Sequence, residues 1–184
     1  MKIPFNKVHL QGKEIEYASE AVNKFHISGD GHFTKKCSDL LETNLNVPRA
    51  LLTTSCTHAL EMSAILADVQ PGDEVIIPSF TFVSTVNAFI LRGAVPVFID
   101  IRLDTLNLDE SQLKKLITDK TKIIVPVHYA GVGCEMDIIM KTANKHGIIV
   151  VEDNAHGLFG KYNGKYLGTF GNFSTNSFHE TLIK

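Results

Sequence analysis

From residue 50 onward, short runs of β-branched and other apolar residues alternate with stretches whose apolar positions recur every three or four residues. The runs at 50–53, 74–77, 95–99, 122–127, 148–151 and 172–177 are expected to be strands. After the first of them, residues 57–68 carry Ala59, Leu60, Met62, Ile65 and Leu66 as one helical stripe, which Pro71-Gly72-Asp73 ends. Further helices are expected over 84–92, 109–117 and 134–146. The last has Ile138, Ile139 and Ala143 on one face and Gly147 just past its end, where a left-handed cap suits glycine. Strands and helices in this alternation predict an α/β fold of three layers around a mostly parallel sheet. Tyr162-Asn163-Gly164-Lys165-Tyr166 predicts a tight hairpin, because Asn-Gly accepts the positive φ of such a turn. Ahead of the first strand come a helix over 13–24, a Gly29-Asp30-Gly31 loop and a helix capped by Thr34. The expected organisation is a helical segment over 1–46 followed by the sheet over 47–184.

Composition narrows the function. A chain of 184 residues that is 44% hydrophobic can bury a core and is best read as one domain. Lys and Arg (18) nearly balance Asp and Glu (20), so no strong field recruits nucleic acid or an anionic membrane. Small-molecule chemistry is expected instead. Met1-Lys2-Ile3-Pro4-Phe5-Asn6 lacks the apolar stretch of a signal peptide, and no apolar run approaches the roughly 18 residues of a membrane span. These features predict a cytoplasmic protein. Cys37, Cys56 and Cys134 are odd in number and without CxxC spacing, which argues against a disulfide framework and against a zinc site.

Polar chemistry gathers where the chain leaves its predicted strands. Ser55, Cys56 and Thr57 open a helix, and the N–H groups of a helix start suit a phosphate. A simple Ser/Thr N-cap is the plainer reading. No Walker lysine or GxGxxG accompanies the turn, so the common nucleotide-binding routes lack support. Phe82 follows the 74–77 strand at the edge where open α/β sheets bind ligands. It either stacks on a planar group or fills the core. Asp153 leaves the apolar 148–151 strand, where a buried carboxylate needs a partner. A cationic ring nitrogen would supply one; capping the next turn is the alternative. His156 either faces the same ligand or bonds the backbone. A phosphate cradle, an aromatic plate and a carboxylate for a protonated ring are together what pyridoxal 5'-phosphate requires, since a protonated ring accepts electrons from the reacting carbon.

The stretches Leu51-Leu52-Thr53-Thr54-Ser55-Cys56-Thr57, Pro71-Gly72-Asp73-Glu74-Val75-Ile76-Ile77-Pro78-Ser79-Phe80-Thr81-Phe82-Val83-Ser84-Thr85, Val125-Pro126-Val127-His128-Tyr129-Ala130-Gly131, Val150-Val151-Glu152-Asp153 and Ser177-Phe178-His179-Glu180-Thr181 resemble the DegT/StrS-type aminotransferases. The likeness is strongest to the dTDP-4-amino-4,6-dideoxygalactose transaminases of surface-polysaccharide synthesis. It implies the large domain of a fold-type I pyridoxal phosphate-dependent transferase. It further implies transfer of an amino group from L-glutamate to dTDP-4-keto-6-deoxyglucose by a homodimer. By the same resemblance, Ser55, Cys56, Thr57 and Ser177 hold the cofactor phosphate and Phe82 stacks on its ring. Asp153 pairs with the ring nitrogen, His156 approaches the ring and its 3-hydroxyl, and Gly29, Asp30 and Gly31 line the substrate pocket.

One position departs from the family pattern. The lysine that links covalently to the cofactor is expected five residues after Ser177, where Leu182 stands; Lys184 lies two residues farther on. Leucine offers neither a nucleophile nor a base. Family members continue past this point into another strand and a C-terminal small domain. The expectation is therefore a large domain truncated at its lysine motif and inactive in turnover, its dimer weakened. The alternatives are a non-catalytic cofactor-binding or interaction protein and a degenerate gene remnant.

Overall fold

The computed structural model describes residues 12–25 and 27–179, in two compact units, one within residues 1–52 and the other spanning 53–178. Among the described residues no helix is long and apolar enough to cross a membrane.

The first unit holds α1 (Glu14–Asn23) and α2 (His32–Leu45). Glu14 and Glu16 in the first turn of α1 suit the positive end of its dipole, and Glu20 pairs with Lys24 one turn later at 2.6 Å. Thr34 does not cap α2. Gly31 does, because its extended backbone already accepts the Lys35 N–H at 3.1 Å and the ladder starts before Thr34 is reached. Residues 50–53 form no strand either. The Glu42 carboxylate takes the Ala50 N–H at 3.0 Å, and Leu51 is 66% exposed, so this apolar run lacks both a ladder and a core to face.

The second unit opens with α3 (Cys56–Leu66) and continues through β1 (Glu74–Pro78), α4 (Val83–Ile90), β2 (Val95–Ile99), α5 (Leu113–Leu116), β3 (Thr121–Ile124), α6 (Met136–His146) and β4 (Ile149–Asp153). A hairpin of β5 (Lys161–Tyr162) and β6 (Lys165–Tyr166) precedes β7 (Phe173–Thr175). The sheet order is β2-β1-β3-β4-β7, every pair parallel. Side chains alternate across the strands and build one core on each face. Val75, Ile77, Ile123, Val125 and Val151 pack with Leu60 and Ala64 of α3 and Ala88 and Phe89 of α4. Ile76, Ile124 and Val150 pack with Leu113 of α5 and with Met136, Ile139 and Ala143 of α6. These faces give the three α/β layers.

The segment expected as one helix over 109–117 divides into a 3-10 turn at Glu110–Gln112, capped by the Asp109 carboxylate on the Ser111 N–H, and the short α5. In the hairpin, Asn163 (φ 48°) and Gly164 (φ 81°) take the two positive dihedrals that the turn demands.

Parallel strands send all their carboxyl ends to one edge. Phe82 and α4 follow β1 there, Asp153 ends β4 there, and Thr175 ends β7 beside it in register. The site is built along this edge.

Candidate functional site

Asp153 is the centre of the constellation. It is only 4% exposed, and each carboxylate oxygen accepts one hydrogen bond: Oδ2 from the Thr85 hydroxyl at 2.7 Å, Oδ1 from the Ala155 N–H at 3.2 Å. Burial pushes the carboxyl above the usual carboxylate range, and the Thr85 hydrogen bond is the largest opposing influence, followed by the Ala155 N–H. A carboxylate has about four lone-pair directions, so acceptor capacity remains for a donor from outside the protein.

Two further elements meet this carboxylate. Cys56 begins α3, and its thiol is pushed up to about 11, first by burial and then by the negative charge of Asp153. The Thr175 hydroxyl lies near enough to temper that rise, yet it is buried without a well-formed hydrogen bond of its own. Thr175 pairs in register with Asp153, so this buried hydroxyl belongs to the strand position beside the carboxylate.

Ser55 does act as an N-cap: its backbone is extended and its Oγ accepts the His58 N–H at 3.1 Å. The cap leaves the first N–H groups of α3, at Cys56 and Thr57, without intrahelical partners. Phe82 is 74% exposed, which rules out the core reading of its ring. It caps α4, where its carbonyl accepts the Thr85 N–H at 3.0 Å, so Phe82 and the threonine that holds Asp153 share one helical turn. Ser177 is buried two residues beyond β7.

His156 follows Asp153 through a tight turn. Its Nδ1 accepts the Ala130 N–H at 3.0 Å, and its ring packs edge-on against Tyr129, with centroids 5.6 Å apart. An Nδ1 that accepts leaves the proton of the neutral ring on Nε2. Gly29, Asp30 and Gly31 form the bend before α2 in the first unit, with Asp30 left-handed at φ 61°. Leu182 and Lys184 lie outside the described residues.

Sequence reasoning missed Thr85, Thr175 and the pair beneath them. Glu152, next to Asp153 but on the other face of β4, accepts His128 Nε2–H at 2.9 Å and the N–H groups of Gly168 (2.8 Å), Phe170 (2.7 Å) and Gly171 (2.7 Å). No local pattern marks Thr85, whose acceptor lies 68 residues along the chain.

The family model of the DegT/DnrJ/EryC1/StrS aminotransferases matches residues 9–183. The GDP-perosamine synthase of Escherichia coli O157:H7 is 37% identical over 176 residues, which cover 96% of this chain and 48% of that protein. The spore coat polysaccharide biosynthesis protein SpsC of Bacillus subtilis strain 168 is 35% identical, over 97% of this chain and 46% of its own length. A putative sugar aminotransferase from Streptococcus pneumoniae, Spr1654 in its PLP form, superposes with a TM-score of 0.90 at 31% identity, over 98% of this chain and 50% of that one. The chain thus spans about half the length of the curated relatives it matches. With the family model matching almost end to end and the fold shared with a PLP-form sugar aminotransferase, the chain belongs to the DegT/DnrJ/EryC1/StrS aminotransferase family.

Proposed function

We propose that these residues form the pyridoxal 5'-phosphate site, within the large domain, of an aminotransferase acting on nucleotide-linked keto-sugars. The observation that carries the reading is Asp153: a buried carboxylate, oriented by two donors, with acceptor capacity left over. The residues around it fit the cofactor. Asp153 would pair with the protonated ring nitrogen, and the exposed ring of Phe82 would cover the ring face. The free N–H groups of Cys56 and Thr57, with the hydroxyls of Ser55 and Ser177, would hold the phosphate. His156 would present Nε2–H to the ring hydroxyl. When bound, the cofactor supplies an electron sink for the pair left when a proton departs from the carbon next to nitrogen. Asp153 would hold a proton at the ring nitrogen, and its burial would keep water from competing for the contact. Gly29, Asp30 and Gly31 are the proposed substrate-facing loop.

The resemblance drawn from the sequence favours dTDP-4-keto-6-deoxyglucose as acceptor and L-glutamate as donor. The 37% identity to a protein named GDP-perosamine synthase supports a second reading, with a GDP-linked sugar. Leu182 offers no amine where the family resemblance expects one, so binding of the cofactor is expected to be reversible.

The test is a titration of the purified chain with pyridoxal 5'-phosphate, followed by borohydride reduction and peptide mapping. Saturable binding without a covalent adduct is expected, and Asp153→Asn should weaken it about tenfold or more, equivalent to about 1.4 kcal/mol. A chain that is folded but does not bind sinks the cofactor reading. An adduct on Lys184 sinks the expectation drawn from Leu182. Competition between dTDP and GDP in ligand-observed NMR then separates the two substrate readings.

A further inference from the structure

A line of hydroxyls runs from the half-buried edge of the site to Asp153. The Thr81 and Thr85 hydroxyls are 2.8 Å apart, and Thr85, fully buried, is 2.7 Å from Asp153 Oδ2. An ionised carboxylate has no proton to give, so the single hydroxyl proton of Thr85 must go to Oδ2. Thr85 then has only lone pairs for Thr81, which must donate in turn. The polarity of the line is thus fixed for as long as Asp153 is ionised.

The other groups facing Asp153 do less to offset its burial than Thr85 does. From α3 comes the Cys56 thiol, neutral at physiological pH. From β7 comes the Thr175 hydroxyl, which has no well-formed hydrogen bond. His128, beyond β3, commits its Nε2–H to Glu152, and the Nδ1 of His156, in the loop after β4, accepts from Ala130. Ala155 contributes a backbone N–H at 3.2 Å. Thr85 thus supplies a buried side-chain hydrogen bond to Asp153.

We propose that Thr85, backed by Thr81, is a positioning residue that keeps Asp153 ionised and fixes the plane of its carboxylate, so that its free lone pairs face a protonated ring nitrogen. The proposal rests on the cofactor reading above. Without the Thr85 hydroxyl the buried carboxylate retains its desolvation penalty and loses its strongest compensating donor, so it holds its proton to higher pH. A protonated Asp153 cannot pair with a protonated ring. Loss of Thr85 should thus damage cofactor binding most on the acid side.

Pyridoxamine 5'-phosphate serves as the probe, because it needs no lysine. Its affinity is measured by calorimetry from pH 5.5 to 8.5 on the unmodified chain, Thr85→Val, Thr85→Ser and Thr81→Val. Thr85→Val should bind about tenfold more weakly at pH 6 and recover much of the loss by pH 8.5. Thr85→Ser should lie within about twofold of the parent, and Thr81→Val should shift the same way by less. A folded Thr85→Val with the parental pH profile overturns the proposal, as does a Thr85→Ser as impaired as Thr85→Val. Carbon-13 NMR of the Asp153 carboxyl in the cofactor-free chain gives an independent reading: its midpoint should move up in Thr85→Val, and an unmoved midpoint also overturns the proposal. If the unmodified chain fails to bind the probe, the cofactor reading falls while the carboxyl titration still decides the role of Thr85. Should Thr85→Val not fold, Thr81→Val carries both measurements.

Discussion

The Cys56 thiol reports the charge on Asp153 before any cofactor is added. Thiolates, not thiols, attack alkylating reagents, and both burial and a neighbouring anion suppress the thiolate. Cys37 is exposed on α2, Cys56 is half-buried and pushed up to about 11, and Cys134 is buried, raised further by its surroundings, and donates its S–H to the Val127 carbonyl at 3.3 Å. Iodoacetamide should therefore label Cys37 first, Cys56 slowly and Cys134 last. The sign of the pH effect follows from the raised value: below about 11 the Cys56 thiolate fraction grows about tenfold per pH unit, so its labelling rate should climb steadily from pH 8 to 10. Asp153→Asn removes the anion, lowers the thiol's proton affinity and should speed Cys56 labelling severalfold at pH 8.5, as read by peptide mass spectrometry. An unchanged rate would mean that the carboxylate does not act on the first turn of α3.

At the scale of elements, β4 ends in two adjacent carboxylates that strand geometry sends to opposite faces. Asp153 shares its side with Val151, toward α3 and α4, and faces the candidate site; Glu152 shares its side with Val150, toward α6, and is bound by protein donors. Glu152 receives four N–H donors, three of them from the backbone between residues 168 and 171, and so clamps the segment between the hairpin and β7 against the sheet. The backbone is close enough there that a side chain at Gly171 would strike the Val150 carbonyl, its Cβ 2.6 Å away. Glutamine at 152 would fit the space but turn an NH2 toward N–H donors that need an acceptor. Buried groups left without partners cost about 1–3 kcal/mol each, more when a charge is involved. Glu152→Gln should accordingly lose about 3 kcal/mol in urea unfolding, and a loss below about 0.5 kcal/mol would show that the clamp is not needed to hold the segment.

Across the whole molecule, what could be read from the sequence was whatever depends on local pattern. The β1, β3 and β4 runs stand out because buried parallel strands are continuously apolar, and Phe82 and Asp153 are visible because they lie at or just past the carboxyl ends of β1 and β4. Residues 50–53 carry the same apolar signature without a partner backbone, so pattern alone misassigned them. Thr85 escaped notice because nothing local marks a threonine whose acceptor lies 68 residues away. Burial also differs sharply between elements, and this sets a final expectation. β1, β3 and β4 contain fully buried residues at Val75, Ile76, Ile77, Ile123, Ile124, Val150 and Val151, whereas α1 buries none of its residues. A helix of 10 residues falls short of the roughly 12–15 that persist alone in water, so without a buried face α1 must open often. Amides in a core strand exchange only through larger openings. Hydrogen–deuterium exchange of the chain in isolation should show α1 exchanging orders of magnitude faster than β3 and β4. Equal protection would mean that α1 is covered by a surface beyond its own burial pattern, and a second copy of the chain could then be sought by repeating the exchange across a concentration series.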